Sequence, residues 1–225
     1  MASGCATGPN ANPRDPIEPW NRGVYQFNDA VDRAVIKPVA TVYKDVLPQP
    51  VRTGVHNFFN NLQDAWSFVN NALQLKAEPA ANSLVRFGVN TFLGLGGVLD
   101  IATEMRIERY TEDFGQTLGY WGVGAGPYLV LPLLGPSTVR DTAALPVDAQ
   151  GNLVSNVSDV PARNSATGLN LLDRRANLLG ATDILDQVAL DPYTFTRDAF
   201  LQRRRNQVYD GNPPDEPELP AQSAQ

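Results

Sequence analysis

Few residues in this chain have the types and spacing that covalent chemistry needs. It holds one cysteine, Cys5, and one histidine, His56, so a disulfide framework and a zinc site built from several Cys and His are excluded. His56 falls in a helical stretch with no evident nucleophile beside it. Ser137, in Gly135-Pro136-Ser137-Thr138-Val139, lacks the G-x-S-x-G frame that raises a serine on a tight strand-to-helix turn. The carboxylates show no readable pairing. Gly94-Leu95-Gly96-Gly97 follows no strand, lacks the dinucleotide spacing and has no Lys-Ser/Thr behind it, so a close helix turn or backbone contact is its expected use. Catalysis, a metal and a cofactor are therefore not expected. The remaining chemistry is at Cys5, where Ala2-Ser3-Gly4-Cys5 has the form of a bacterial lipobox, whose thiol is acylated. Two or three acyl chains hold firmly, because each buried methylene contributes about 0.8 kcal/mol and one chain alone is marginal. An exposed thiol without a role is the alternative. No charged or apolar signal region precedes Cys5, so such a region is expected to have been removed or to be lacking. Ala6 rather than Asp follows, which makes the outer membrane the expected address.

The composition limits what can surround these residues. Among 225 residues, 43% are hydrophobic and 19% charged, below the roughly 25% charged of an ordinary soluble domain. Something other than water is expected to cover part of the surface. Acidic residues number 24 against 18 basic, a net charge of −6, which argues against nucleic acid as partner. Eighteen Gly and eighteen Pro predict many turns and broken elements.

The pattern divides the chain into a tether at 1–14, one helical domain at 15–205, and an acidic, proline-rich tail at 206–225 expected to lack fixed structure. Asp15-Pro16-Ile17-Glu18-Pro19 supplies helix-start chemistry. Trp20, Val24, Phe27, Val31 and Val35 then recur at helical spacing until Lys37-Pro38 breaks the pattern, and a second segment from Val39 to Val46 ends at Leu47-Pro48-Gln49-Pro50. The cleanest periodicity follows: Val55, Phe58, Phe59, Leu62, Trp66, Val69 and Leu73 share an arc of about 100° on a helix from Val55 to Gln74. Its opposite face carries Asn57, Asn60, Asn61, Asp64, Ser67 and Asn71, neutral amides where a water-facing helix wears Lys, Glu and Arg. Such a face suits an enclosed polar space; an Asn-rich core helix is the competing reading. Another helix is predicted from Pro79 to Phe92.

From Phe114 to Val139 there is no charged residue, yet interspersed Gly and Pro exclude a regular transmembrane helix. Irregular backbone at membrane depth survives only where protein buries it or where it lines a wet cavity. An interior loop of a water-soluble protein is the alternative. A polar connection is expected to about Ala166, then a helix over Leu169–Leu179 stopped at Gly180, then a last helix from Asp191 to Arg203-Arg204-Arg205. Those arginines suit a helix C-terminus, and phosphate contact is the other use they allow. No internal repeat and no sheet is predicted.

Several long peptides carry a resemblance: Asp15-Pro16-Ile17-Glu18-Pro19-Trp20-Asn21-Arg22, Phe27-Asn28-Asp29, Lys37-Pro38-Val39-Ala40, Pro50-Val51-Arg52-Thr53-Gly54-Val55, Asn57-Phe58-Phe59-Asn60-Asn61-Leu62 and Glu112-Asp113-Phe114-Gly115-Gln116-Thr117-Leu118-Gly119. Gly122-Val123-Gly124-Ala125-Gly126-Pro127-Tyr128, Arg140-Asp141 and Asp191-Pro192-Tyr193 continue it. From Asp15 to about Arg205 the chain resembles the MlaA/VacJ family of outer-membrane lipoproteins, departing from it between Ala143 and Thr167. The resemblance implies a mainly α, single-domain ring of amphipathic helices embedded in the periplasmic leaflet of the outer membrane, with a polar channel, beside trimeric porins. It implies removal of mislocalised phospholipid from the outer leaflet and transfer to a periplasmic lipid carrier.

On that basis Asn57, Asn60, Asn61, Asp64, Gly122, Gly124, Gly126 and Tyr128 are the expected channel lining. Trp20, Phe27, Phe58, Phe59, Leu62 and Trp66 are expected to face acyl chains or membrane. A hydrated channel spares the headgroup the several kcal/mol of leaving water. Exposing each methylene to water costs about 0.8 kcal/mol, so an apolar acceptor must take the tails. The competing readings are a scaffold lipoprotein for porins, its polar helix face packed dry, and a lipid hydrolase.

Overall fold

The computed structural model describes residues 12–215, the side chains of Asp186 and Val188 excepted. The chain is mainly helical. Helices α1 (Glu18–Val31) and α2 (Lys37–Val46) form one continuous rod through a π-helical turn, Asp32–Ile36. The break expected at Lys37-Pro38 is thus absorbed rather than enforced. Pro38 lacks an N–H and crowds the carbonyl four residues back, and the wider turn ahead of it accommodates both. Helix α3 (Gln49–Leu73) starts with Pro50 in its first turn and contains the strongly periodic stretch. Leu75 (φ 59°) turns the chain into α4 (Ala77–Phe92), which lies along α3.

A single-turn helix, α5 (Ile101–Glu104), is capped by Asp100, and α6 (Phe114–Tyr120) by Asp113. The glycine-rich run that follows leads into a two-stranded antiparallel hairpin, β1 (Tyr128–Leu131) and β2 (Gly135–Thr138), in the register Tyr128↔Thr138 and Leu131↔Gly135. No sheet was expected, because four-residue strands are too short to display alternation. The stretch read as a polar connection begins instead with α7 (Val139–Gly151), capped by Thr138. Helix α8 (Val160–Val188) starts earlier than expected and passes through Gly180. An isolated glycine lowers helix propensity by only about 1 kcal/mol, and packing of α8 on α2 and α3 overrides it. Helix α9 (Pro192–Val208) runs a turn past the boundary placed at Arg205.

Burial is inverted relative to a water-soluble domain. The apolar clusters are small: Ala40, Tyr43 and Ala176 with Leu47, and Tyr128, Val130 and Tyr193 with Val24, Tyr25, Phe200 and Leu201. Buried polar side chains are abundant, among them Asp15, Asn21, Asp64, Asn70, Asn71, Gln74, Arg86 and Asn90. Large apolar side chains stand outside, with Leu75 90%, Phe92 86%, Leu95 73% and Leu134 71% exposed. Water is a poor solvent for such a surface. Among the described residues no helix is long and apolar enough to cross a membrane.

Candidate functional site

The site is assembled where α6, the glycine loop, the start of α7 and the end of α9 meet. Asp113 caps α6 by accepting the Gln116 N–H at 2.8 Å, which leaves its carboxylate facing α9. Arg204 donates to both Asp113 oxygens at 2.6 Å and to both Asp141 oxygens at 2.9 and 3.0 Å. Arg140 donates from Nε to Asp141 at 2.9 Å. Gly115 and Gly119 make this approach possible: a Cβ on Gly115 would lie 2.5 Å from Arg204 Nη2, and one on Gly119 2.5 Å from Arg140 Nη1. Burial works to raise the Asp113 carboxyl, but hydrogen bonding and attraction from Arg204 outweigh it and hold it below the ordinary carboxylate range. Burial likewise works to lower Arg204, and its two carboxylate partners push it above the ordinary arginine value.

Above this ion-paired floor lies a cavity of about 430 Å³. One wall is the loop backbone from Gly122 to Gly126, where Gly122 (φ 91°) and Gly126 (φ 68°) adopt a conformation that favours glycine. The opposite wall is Leu201, Arg204, Arg205 and Val208 of α9, with Arg140, Thr138 and Arg14 completing it. The lining is thus cationic and partly apolar, with no carboxylate side chain on it.

Of the expected channel residues, Gly122, Gly124 and Gly126 line this cavity and the amides do not. Asn61 and Asp64 are buried against protein: Asn61 donates to Thr91 Oγ1 at 2.9 Å, and Asp64 is held by Arg109 at 3.1 Å and Arg86 at 3.5 Å. Burial raises the Asp64 carboxyl, the arginines working against it. Further along the same face, Asn70 accepts from Thr117 at 2.8 Å, and Gln74 donates to Glu112 at 3.0 Å and to Thr117 at 3.1 Å. Asn57 and Asn60 are half-buried, and Asn57 donates to the Val98 carbonyl at 3.1 Å. Tyr128 is fully buried, packed beside Tyr193 and Phe200.

Of the expected acyl-facing residues, Trp20, Phe27 and Phe58 are exposed, Leu62 and Trp66 half-buried, and Phe59 buried edge-to-face under Phe58. The Trp66 indole donates to Asp148 at 2.8 Å. Cys5 and the tail from 216 onward lie outside the described residues. His56 does have a close partner, Asp173 on α8 at 2.9 Å, and that partner is a carboxylate rather than a nucleophile. Sequence reasoning missed Arg14 and Arg140 as cavity residues; the arginine run at the end of α9 and the open glycine loop were the available signals.

Comparison with known proteins decides the family. The sequence model of a family described as MlaA lipoprotein matches residues 13–207. The chain belongs to the MlaA lipoprotein family. Relatives in Escherichia coli (strain K12) and Shigella flexneri, each named intermembrane phospholipid transport system lipoprotein MlaA, are 38% identical over 207 residues, covering 89% of this chain and 81% of theirs. A Haemophilus influenzae relative of the same name is 34% identical over 88% of this chain and 80% of its own. A solved chain from work on the structural basis for maintenance of bacterial outer membrane lipid asymmetry superposes with a TM-score of 0.76 at 33% identity, over 88% of this chain and 99% of that one. These MlaA relatives are named as lipoproteins of a transport system, not as enzymes.

Proposed function

We propose that this chain is an outer-membrane lipoprotein, anchored through Cys5 in the periplasmic leaflet, that removes mislocalised phospholipids from the outer leaflet and so maintains lipid asymmetry. The lipid headgroup passes through the polar cavity at the glycine loop, and a periplasmic carrier takes the lipid away. Trimeric porins are the expected neighbours. The observation that carries this reading is a cationic cavity, floored by buried ion pairs, in a molecule whose outer surface is rich in exposed Leu, Val and Phe. Hydrocarbon suits that surface, and a polar passage inside it spares the headgroup its desolvation penalty. The names of the MlaA relatives point the same way. Conduction is passive on this reading, and the acceptor's apolar cavity sets the direction.

Filling the cavity tests it. Gly124 lines the cavity, has no left-handed φ and has open space where a Cβ would stand, so Gly124→Leu adds bulk to the cavity wall without backbone strain. Gly126 is a worse choice, with φ of 68° and Val139 Cβ only 3.1 Å from a new Cβ. Gly124→Leu at normal protein abundance is expected to leave phospholipid in the outer leaflet; full clearance refutes the conduit. A second reading, a scaffold that conducts nothing, draws support from the burial against protein of Asn61, Asp64 and Asn70 on α3 and of Gln74 at its end. A photo-crosslinker at 124 separates the two, since only a conduit yields lipid adducts there.

A further inference from the structure

Three leucines hold a backbone conformation that suits glycine. Leu75 (φ 59°), Leu95 (φ 54°) and Leu133 (φ 63°) occupy the left-handed region, where a Cβ crowds the following carbonyl oxygen. Leu75 follows the end of α3, where the Lys76 N–H donates to the Asn71 carbonyl at 3.0 Å, and Leu95 follows the end of α4, where the Gly96 N–H donates to the Thr91 carbonyl at 3.0 Å. A helix stop closed by that bond usually has glycine at the left-handed position. Leu133 stands at the tip of the hairpin, its N–H donating to Asn28 Oδ1 at 2.7 Å. Among the described residues, Arg106 and Asp210 share the conformation without being glycine, and both are polar and exposed. The leucine side chains, by contrast, find little protein to pack on, being 90%, 73% and 61% exposed in chain order. Their surroundings are apolar: Phe92 and Leu93 stand exposed before Leu95, Leu134 stands exposed after Leu133, and no charged residue occurs from Phe87 to Leu99 or from Phe114 to Val139. Lys76, next to Leu75, turns inward to Glu112 and Asp210, with its side chain 12% exposed. A strained residue with few contacts lowers the stability of the fold, so its use lies outside the fold.

Resting on the reading that this chain lies in a membrane leaflet, we infer that Leu75, Leu95 and Leu133 are insertion residues: each turn keeps a leucine in the left-handed conformation because the hydrocarbon of the leaflet, not the protein, takes its side chain. Glycine at any of the three would relax the backbone and leave the hydrocarbon nothing to bury. Their placement favours lipid over a protein partner. Leu75 and Leu95 lie beyond opposite ends of α4, a helix of sixteen residues and about 24 Å, and Leu133 is on the hairpin. A fluid apolar phase meets all three tips at once, whereas a protein partner covers only those on one face.

The full chain carrying Cys5→Ser, so that no acyl anchor contributes, checks this on neutral dioleoyl phosphatidylcholine vesicles. Leu75→Ala, Leu95→Ala and Leu133→Ala are each expected to lower vesicle partitioning at least about fivefold, and glycine at the same position to lower it as much, since both truncations remove the isobutyl group. Stability separates strain from burial, because alanine keeps a Cβ at positive φ and glycine does not. In denaturant titrations in detergent, Leu75→Gly is expected to fold with an equilibrium constant about threefold above that of Leu75→Ala. Phe92, equally exposed but inside α4, should show the reverse order, with Phe92→Gly less stable than Phe92→Ala. Circular dichroism matching the parent excludes misfolding as the cause of lost partitioning. Partitioning within twofold of the parent overturns the inference for the leucine replaced, and Leu75→Gly no more stable than Leu75→Ala overturns the strain on which it rests. A parent chain that self-associates, with alanine variants that are monomeric and still bind vesicles at the parent level, overturns it as well and assigns the tips to a second copy. Each of these results leaves the leaflet reading standing; a parent chain that ignores the vesicles refutes that reading, and the inference with it.

Discussion

Replacing Arg204 by Gln isolates the contribution of the ion-paired floor. The change removes one guanidinium, with a side chain 11% exposed, from between two carboxylates that it contacts through four hydrogen bonds of 2.6 to 3.0 Å. Deleting one partner of a buried pair costs about 3–5 kcal/mol, because the remaining charge stays behind uncompensated. The Asp113 side chain is 33% exposed, so solvent screening places the expected loss near the lower end, about 3 kcal/mol. The pH dependence should reverse as well. In the parent chain the Asp113 carboxyl is held below its ordinary 3.8, so its contribution is present above that value and lost as pH falls through the depressed one. In Arg204→Gln, burial is left to act without the guanidinium and the carboxyl rises above 3.8; stability then increases as pH falls from neutrality toward that range. Denaturant midpoints in detergent between pH 7 and about 4 read both effects. Adding Asp113→Asn should recover most of the loss, since Asp141 keeps Arg140 as its partner. A cost below about 1 kcal/mol, or a pH profile parallel to the parent's, refutes the assignment of Arg204 as the tie between α6, α7 and α9.

Adjacent phenylalanines on α3 should separate by burial: Phe58→Asp, at an exposed position, is expected to weaken vesicle binding at least tenfold, about 1.4 kcal/mol, with folding intact, whereas Phe59→Asp, at a 6% exposed position, should deplete folded protein. Gly151→Ala would set a Cβ 2.2 Å from the Trp66 indole, so a loss of about 1–3 kcal/mol is expected in thermal unfolding, relieved by Trp66→Ala in the same chain. Asn21 joins α1 to β1 by donating to Asp15 at 2.7 Å and the Tyr128 carbonyl at 3.0 Å and accepting the Val130 N–H at 2.9 Å. Asn21→Leu strands these buried groups at about 1–3 kcal/mol each, and an unfolding loss under about 2 kcal/mol would contradict that reading.

What the sequence alone determined was whatever a local repeat or local breaker can encode. The i, i+3, i+4 recurrence from Val55 to Leu73 sets α3 without reference to the rest of the chain. The glycines and prolines between Phe114 and Val139 forbid a long helix for reasons intrinsic to their own backbones. The apolar stripe through Phe58 and Phe59 was legible for the same reason, but which of its side chains stand exposed was not: Phe58 is exposed and Phe59 buried. A polar stripe is less informative. The amides of α3 declare a polar neighbour, and only the packing of α4, α6 and the Glu112 region shows that, from Asn61 to Gln74, the neighbour is protein rather than water. The hairpin and the passage of α8 through Gly180 likewise depend on tertiary contacts that outweigh propensities of about 1 kcal/mol. The cavity lay furthest from view. Its floor joins Arg204 to Asp113 across 91 residues, and no spacing rule couples a helix cap to an arginine three helices later; the fold alone brings their charges into contact.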